Sequence, residues 1–176
     1  SAIAAIILVT VTLKAQGYLQ QVNDSHLHDL AKYLFGFSIF WTYLWFSQYL
    51  LYWYSNIPEE VTYFVTRLEH YEPIVLSMLA INFLLPLLIL VDSDIKRKPW
   101  VVGTMAVVIL IGHYLDFFNM IMPATVGDQW CIGAGEIGSV LFFFGLFTFV
   151  TFHSLTKAPL VEKNHPLMHE SEHFHY

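Results

Sequence analysis

Three observations predict an all-α, polytopic transmembrane helix bundle of about five spans. The 176 residues are 56% hydrophobic, 17% aromatic and only 12% charged, with a mean hydropathy of +0.55, which excludes an ordinary water-soluble globule. Five stretches, near residues 2–19, 30–54, 73–91, 100–122 and 136–155, reach the roughly 20 apolar residues a helix needs to cross the hydrocarbon core. Breaker-rich linkers separate them: Asn23-Asp24-Ser25, Asn56 to Glu60, Asp92 to Pro99, and Pro123 through Gly135. Residues 1–160 read as the bundle and 161–176 as a polar, histidine-containing tail.

The first span opens at Ala2 without a basic flank or a small-residue cleavage site, so it does not read as a signal peptide, and the chain reads as part of a longer subunit. The second span carries aromatic side chains on two faces. One stripe holds Lys32, Gly36, Phe40, Tyr43, Ser47 and Tyr54; the other holds Trp41, Trp45, Gln48 and Tyr52. Glu59 to Glu72 is too polar to span, yet Val61, Phe64, Val65 and Leu68 recur at helical spacing, as in a short surface helix. In the third span Pro86 has no N–H to offer the carbonyl of Asn82, which predicts a kink and a place for water. Packing alone against a neighbouring helix is the alternative there. Glu136 opens the fifth span, where the helix dipole stabilises a carboxylate whatever its function.

Alternating the five spans places Lys14, Lys32, Lys96, Arg97, Lys98, Lys157 and Lys163 on one side and Arg67 alone on the other. The excess of cations marks the cytoplasmic side, so the C-terminus is cytoplasmic, and residues 55–72 and 123–135 face the opposite compartment. Trp53, Tyr54 and Trp130 then fall at the outer boundary and Trp100 at the inner one, as an aromatic belt does.

The fourth span carries the sharpest chemical signal. Met105, Ile109, Gly112, His113, Asp116, Asn119 and Met120 share one stripe, and His113 and Asp116 lie one turn apart. Ionisable groups inside a membrane are costly and face a bundle interior, so a carboxylate and an imidazole so placed are candidates to share and relay a proton. A static polar contact that joins two helices is the structural alternative. At the inner boundary His26, His28, Asp29 and Lys32 open the second span and His153 nears the end of the fifth; together they suit the mouth of a proton path, or individually the membrane interface.

Other chemistries find less support. A net charge of −6 with no basic stripe removes nucleic acid as a partner. Cys131 stands alone, so the chain lacks the thiolates for an iron-sulfur cluster. His113 lies in the outer half of its span while His28 and His153 lie near the inner surface, a mismatch of depth for two haem ligands. His165, His169 and His173 recur every fourth residue, with His175 beyond them, but Pro166 and the polar setting favour a solvated tail over a metal site. No cofactor or metal is therefore expected on this chain.

The run from His28-Asp29-Leu30-Ala31-Lys32-Tyr33 through Phe40-Trp41-Thr42-Tyr43-Leu44-Trp45-Phe46-Ser47-Gln48-Tyr49 to Trp53-Tyr54-Ser55-Asn56-Ile57-Pro58-Glu59-Glu60 is more distinctive than generic membrane composition, and His113-Tyr114-x-Asp116 fits with it. It resembles the second of the two polysulfide-reductase (NrfD-like) membrane subunits of bacterial alternative complex III. The resemblance implies a multi-pass inner-membrane subunit of a quinol:cytochrome c oxidoreductase, with this chain as roughly the C-terminal half. It further implies menaquinol as the quinol used, membrane lipid around the chain, and partners that hold the redox centres: the paralogous NrfD-like subunit, an iron-sulfur subunit and c-type cytochrome subunits. On this sequence a proton path falls on His113 and Asp116, with His28, Asp29, Lys32 and Tyr43 as further members. No separate motif reads a quinone headgroup, and the quinone-binding residues stay unassigned. Three readings follow: a proton-conducting subunit without a redox centre, a quinol-binding subunit with an aromatic pocket and an acid to take the proton, and a scaffold whose polar pairs only join helices.

Overall fold

A computed structural model describes residues 1–161 and 166–174. It is helical throughout, with no strand among the described residues. The helices are α1 (Ala2–Ala15), α2 (Asp24–Ser55), α3 (Pro58–His70), α4 (Glu72–Leu79), α5 (Leu85–Ile89), α6 (Pro99–Thr125), α7 (Ala134–Leu155) and α8 (Met168–Glu172). A π-helical turn, Ala80–Leu84, joins α4 to α5, and a 3₁₀ turn, Ile95–Arg97, precedes α6.

Among the described residues, three helices are long and apolar enough to cross a membrane: Glu72–Ile89, Pro99–Thr125 and Ala134–Leu155. They match the third, fourth and fifth predicted stretches. The first stretch is shorter than expected. α1 is apolar but has 14 residues, because Gly17 adopts a left-handed φ of 84° and its N–H turns back to the carbonyl of Lys14. The second stretch lies within a longer helix of 32 residues. Its start is moved outward by a reciprocal cap in which Asn23 Oδ1 accepts from His26 N–H (3.1 Å) and Asn23 N–H donates to His26 Nδ1 (3.2 Å). Asn56, at φ 49°, closes the helix in the left-handed region before Pro58 starts α3.

The predicted break at Pro86 takes a specific form. Without a donor at position 86 the helix widens for one turn, and Leu85 N–H reaches back five residues to the carbonyl of Ala80. Asn82 sits in this widened turn, 1% exposed.

The main core joins α1, α2, α6 and the end of α5 through Ala4, Ile7, Ala31, Leu34, Leu90, Val102, Met105, Ala106 and Ile109. α1 and α6 form the most extensive helix pair. A second cluster, Tyr71, Ile74 and Phe118, closes the other end of the bundle beneath Trp130. There the Tyr71 hydroxyl donates to the carbonyl of Gly127, the Tyr71 ring stacks on Trp130, and Trp130 Nε1–H donates to the carbonyl of His70 (3.0 Å). Those contacts pin the 126–133 loop over the junction of α3 and α4. α7 buries none of its residues, and its apolar side chains either face outward or line an open apolar cavity shared with α1 and α6.

Candidate functional site

The inward face of α6 is the one the 3.6-residue period selects. Met105, Ile109, Gly112 and Asn119 are buried, His113 and Asp116 are half-buried, and Met120, at the edge of the stripe, is exposed. Gly112 is required by a close approach: a methyl group there would collide with Ile81 and with the side chain of Asn82. The π turn and the middle of α6 therefore touch at one point, one residue from His113.

His113 and Asp116 both turn toward α2, and they meet at Trp41 rather than at each other. Trp41 Nε1–H donates to Asp116 Oδ2 at 2.8 Å, and the His113 ring meets the Trp41 ring edge-on with centroids 6.2 Å apart. An indole N–H donates and never accepts, so it holds the carboxylate without being able to pass a proton. Oδ1 is the oxygen left for exchange.

Asp116 opens on a cavity of about 360 Å³ between α2, α3, α4 and α6. Trp41, Trp45, Tyr63 and Phe64 form aromatic walls, and Gln48, Arg67 and Asn119 supply the remaining polar atoms. The Trp45 and Tyr49 rings meet Phe64 edge-on, which docks α3 against α2.

Arg67 is the residue that sequence reasoning missed. The charge count places it only as the lone cation of the outer side, and the structure buries it, 6% exposed. Its Nε–H donates to the carbonyl of Asn119 (3.1 Å), Nη1–H to Tyr63 (2.8 Å) and Nη2–H to Met120 (3.2 Å), and the guanidinium lies 3.4 Å from the Tyr63 ring centre. Three charge-assisted bonds and a cation–π contact satisfy a buried cation that has no carboxylate in ion-pair range among the described residues. Burial lowers its proton affinity below the ordinary arginine value, the Tyr63 and Tyr71 phenols act the other way, and a guanidinium stays charged at physiological pH. One signal was available in the sequence: Arg67 stands three residues after Phe64, on the apolar face of α3.

The other predicted residues gather at the opposite end of α2. His28 is buried, its Nδ1 lies 4.0 Å from Asp29 Oδ1, and Lys32 Nζ bonds the same oxygen at 3.3 Å. Burial, then the charges of Lys32, Lys96 and Arg97, push the His28 imidazole below its ordinary pKa, and Asp29 opposes them. Lys96 is itself buried, near the Phe35 ring. Tyr43 is not brought to either group: it is 64% exposed and belongs to the outward stripe with Lys32, Gly36 and Phe40.

Between the two ends lie buried polar residues that no prediction had assigned to a path. Ser38 is buried on α2, and neither polar atom of the Asn82 side chain has a hydrogen-bond partner among the described residues. Asn119 Oδ1, on the cavity, is also without one.

At the tail, His26 Nε2 meets Ser171 Oγ at 3.1 Å, Asn23 Nδ2–H donates to the carbonyl of Phe174 (2.6 Å), and His169 and His173 stack ring on ring. The 166–174 segment is thus docked on the start of α2. His165 and His175 lie outside the described residues, so the predicted histidine array is described only at His169 and His173. Glu136 accepts from the N–H of Gly133 (2.9 Å) and acts as a helix cap. A comparison with protein-family models and with curated proteins finds no match for the chain.

Proposed function

We propose that this chain is a membrane subunit of a respiratory quinol:cytochrome c oxidoreductase of the alternative complex III type. In this reading it crosses a bacterial inner membrane five times, with its C-terminus in the cytoplasm, and conducts protons along buried polar residues while partner subunits hold the redox centres. Its expected neighbours are the paralogous NrfD-like subunit, an iron-sulfur subunit and c-type cytochromes, and menaquinol is the quinol oxidised by the assembly. The observation that carries the proton-path part is the position of Asp116: one oxygen is fixed by Trp41 and the carboxyl faces a cavity. Buried His28, Ser38 and Asn82 supply polar atoms at other points along the bundle.

The cavity also keeps a second reading in view, that of a quinol-binding subunit. Its aromatic walls and single carboxyl have the composition of a pocket for a planar ring that gives up a proton. One variant separates the readings. Asp116→Asn retains an acceptor for Trp41 but removes the titratable proton. In vesicles carrying the intact complex, a proton path loses proton movement while quinol:cytochrome c activity survives. A quinol site loses quinol oxidation itself, and a scaffold loses neither.

A further inference from the structure

We infer that Arg67 makes the Asp116 cavity selective for protons by denying metal cations the oxygen ligands and the charge balance they need there. The inference rests on the proton-path reading of Asp116 and adds a specificity-determining residue to it. A carboxylate facing a cavity with amide oxygens nearby is a danger in a membrane that separates ions. Hard cations such as Na⁺ are bound by carboxylate and carbonyl oxygens in shells of several ligands. Asp116 supplies a carboxylate here and Asn119 an Oδ1 with no partner among the described residues, while the backbone carbonyls of Tyr63, Asn119 and Met120 gather at the guanidinium.

Arg67 occupies all three carbonyls with its own N–H groups. It is also the one cation, as Asp116 is the one carboxylate, among the described residues lining the cavity. Because the guanidinium is tied to α6 and packed on Tyr63, it stays in the cavity wall rather than closing onto Asp116 as an ion pair. A proton needs a single oxygen and forms a covalent O–H at Asp116. A metal ion needs several oxygens at once, and three of those at the cavity wall, the carbonyls of Tyr63, Asn119 and Met120, are already donated to by a fixed positive charge. The discrimination therefore comes from ligand number and not from charge alone.

The test reads access of cations to Asp116. The protein is purified from membranes in detergent with its bound partners and treated with a hydrophobic carbodiimide, which modifies a protonated carboxyl. Labelling of Asp116 is followed by peptide mass spectrometry in sodium chloride and in choline chloride at equal ionic strength. Wild type labels equally in both salts. Arg67→Gln frees the carbonyls and removes the charge, and sodium then slows labelling by about tenfold. Where Arg67→Gln does not assemble, Arg67→Met, which keeps much of the side chain's length without charge or donors, carries the same expectation. Sodium protection in wild type overturns the inference, as does sodium-independent labelling in an assembled, neutral Arg67 variant. Failure of the proton-path reading shows elsewhere, as unchanged proton movement in Asp116→Asn.

Discussion

Trp41 Nε1 and Asp116 Oδ2, 2.8 Å apart, form a side-chain bond between α2 and α6 that orients the carboxyl on the cavity. Its energy is open to a double-mutant cycle, since polar contacts between membrane helices average about 0.6 kcal/mol and reach about 1.7. The indole–carboxylate pair belongs in the upper part of that range, because one partner is able to carry a charge. Trp41→Phe, Asp116→Leu and the double variant, unfolded reversibly in detergent or bicelles, are expected to couple by about 1 kcal/mol. Strict additivity shows that the bond does not form in the folded protein.

The contact between α6 and the π turn gives a prediction that depends on one methyl group. At Gly112 an added Cβ meets Ile81 and Asn82, at Gly103 it meets Val11 at an ordinary 3.8 Å, and at Gly36 it meets nothing within 4 Å. Gly112→Ala is therefore expected to destabilise by about 1–3 kcal/mol, as overpacked cores do. Gly103→Ala and Gly36→Ala are expected near neutral or stabilising, since alanine favours a helix by roughly 0.8–1.0 kcal/mol. Thermal unfolding of the three variants ranks them, and equal behaviour at positions 112 and 36 places α6 away from Asn82.

His28 gives stability a dependence on pH with a definite sign. Its folded-state pKa lies below the ordinary value of about 6.5 because the ring is buried and faces Lys32, Lys96 and Arg97, with Asp29 as the opposing charge. Above pH ~6.5 the imidazole is neutral in both states and this contribution is fully present. As pH falls through that value the unfolded chain binds a proton that the folded one resists, so stability declines until the folded-state pKa is also passed. His28→Gln is expected to flatten this acid limb when melting temperature is followed from pH 8 down to pH 5. An unchanged slope assigns the limb to another group.

How far the sequence reached is clearest at individual residues. The long apolar helices were legible because composition alone sets span length, and the inward turn of His113 and Asp116 followed from the helical period of α6. Pro86 announced a defect, although not that a π turn would absorb it. Tyr43 was not legible: with aromatic residues on both faces of α2, the period is silent about which face packs inward, and the Trp41 face does. Arg67 and Trp41 became site residues through contacts 52 and 75 positions away in the chain; the local pattern puts Arg67 on the apolar face of α3 without naming the partners it meets there.

Asn82 decides whether the middle of the bundle is wet. Its side chain is almost fully buried, and both Oδ1 and Nδ2 lack a partner among the described residues. An unsatisfied buried amide costs about 1–3 kcal/mol, so a dry site would favour replacing it by an apolar side chain of similar size. A water bonded to the amide reverses that expectation, because polar surroundings of adequate size retain water and lose stability when it is displaced. The Asn82 side chain approaches α6 at Gly112, one residue from His113 in the chain, and the wet alternative is the one a proton path requires. Asn82→Leu is accordingly expected to lower stability by about 1 kcal/mol and to reduce proton movement in vesicles with quinol oxidation retained. A variant that is more stable and still moves protons shows a dry Asn82, and confines any path to the Asp116 side of Gly112.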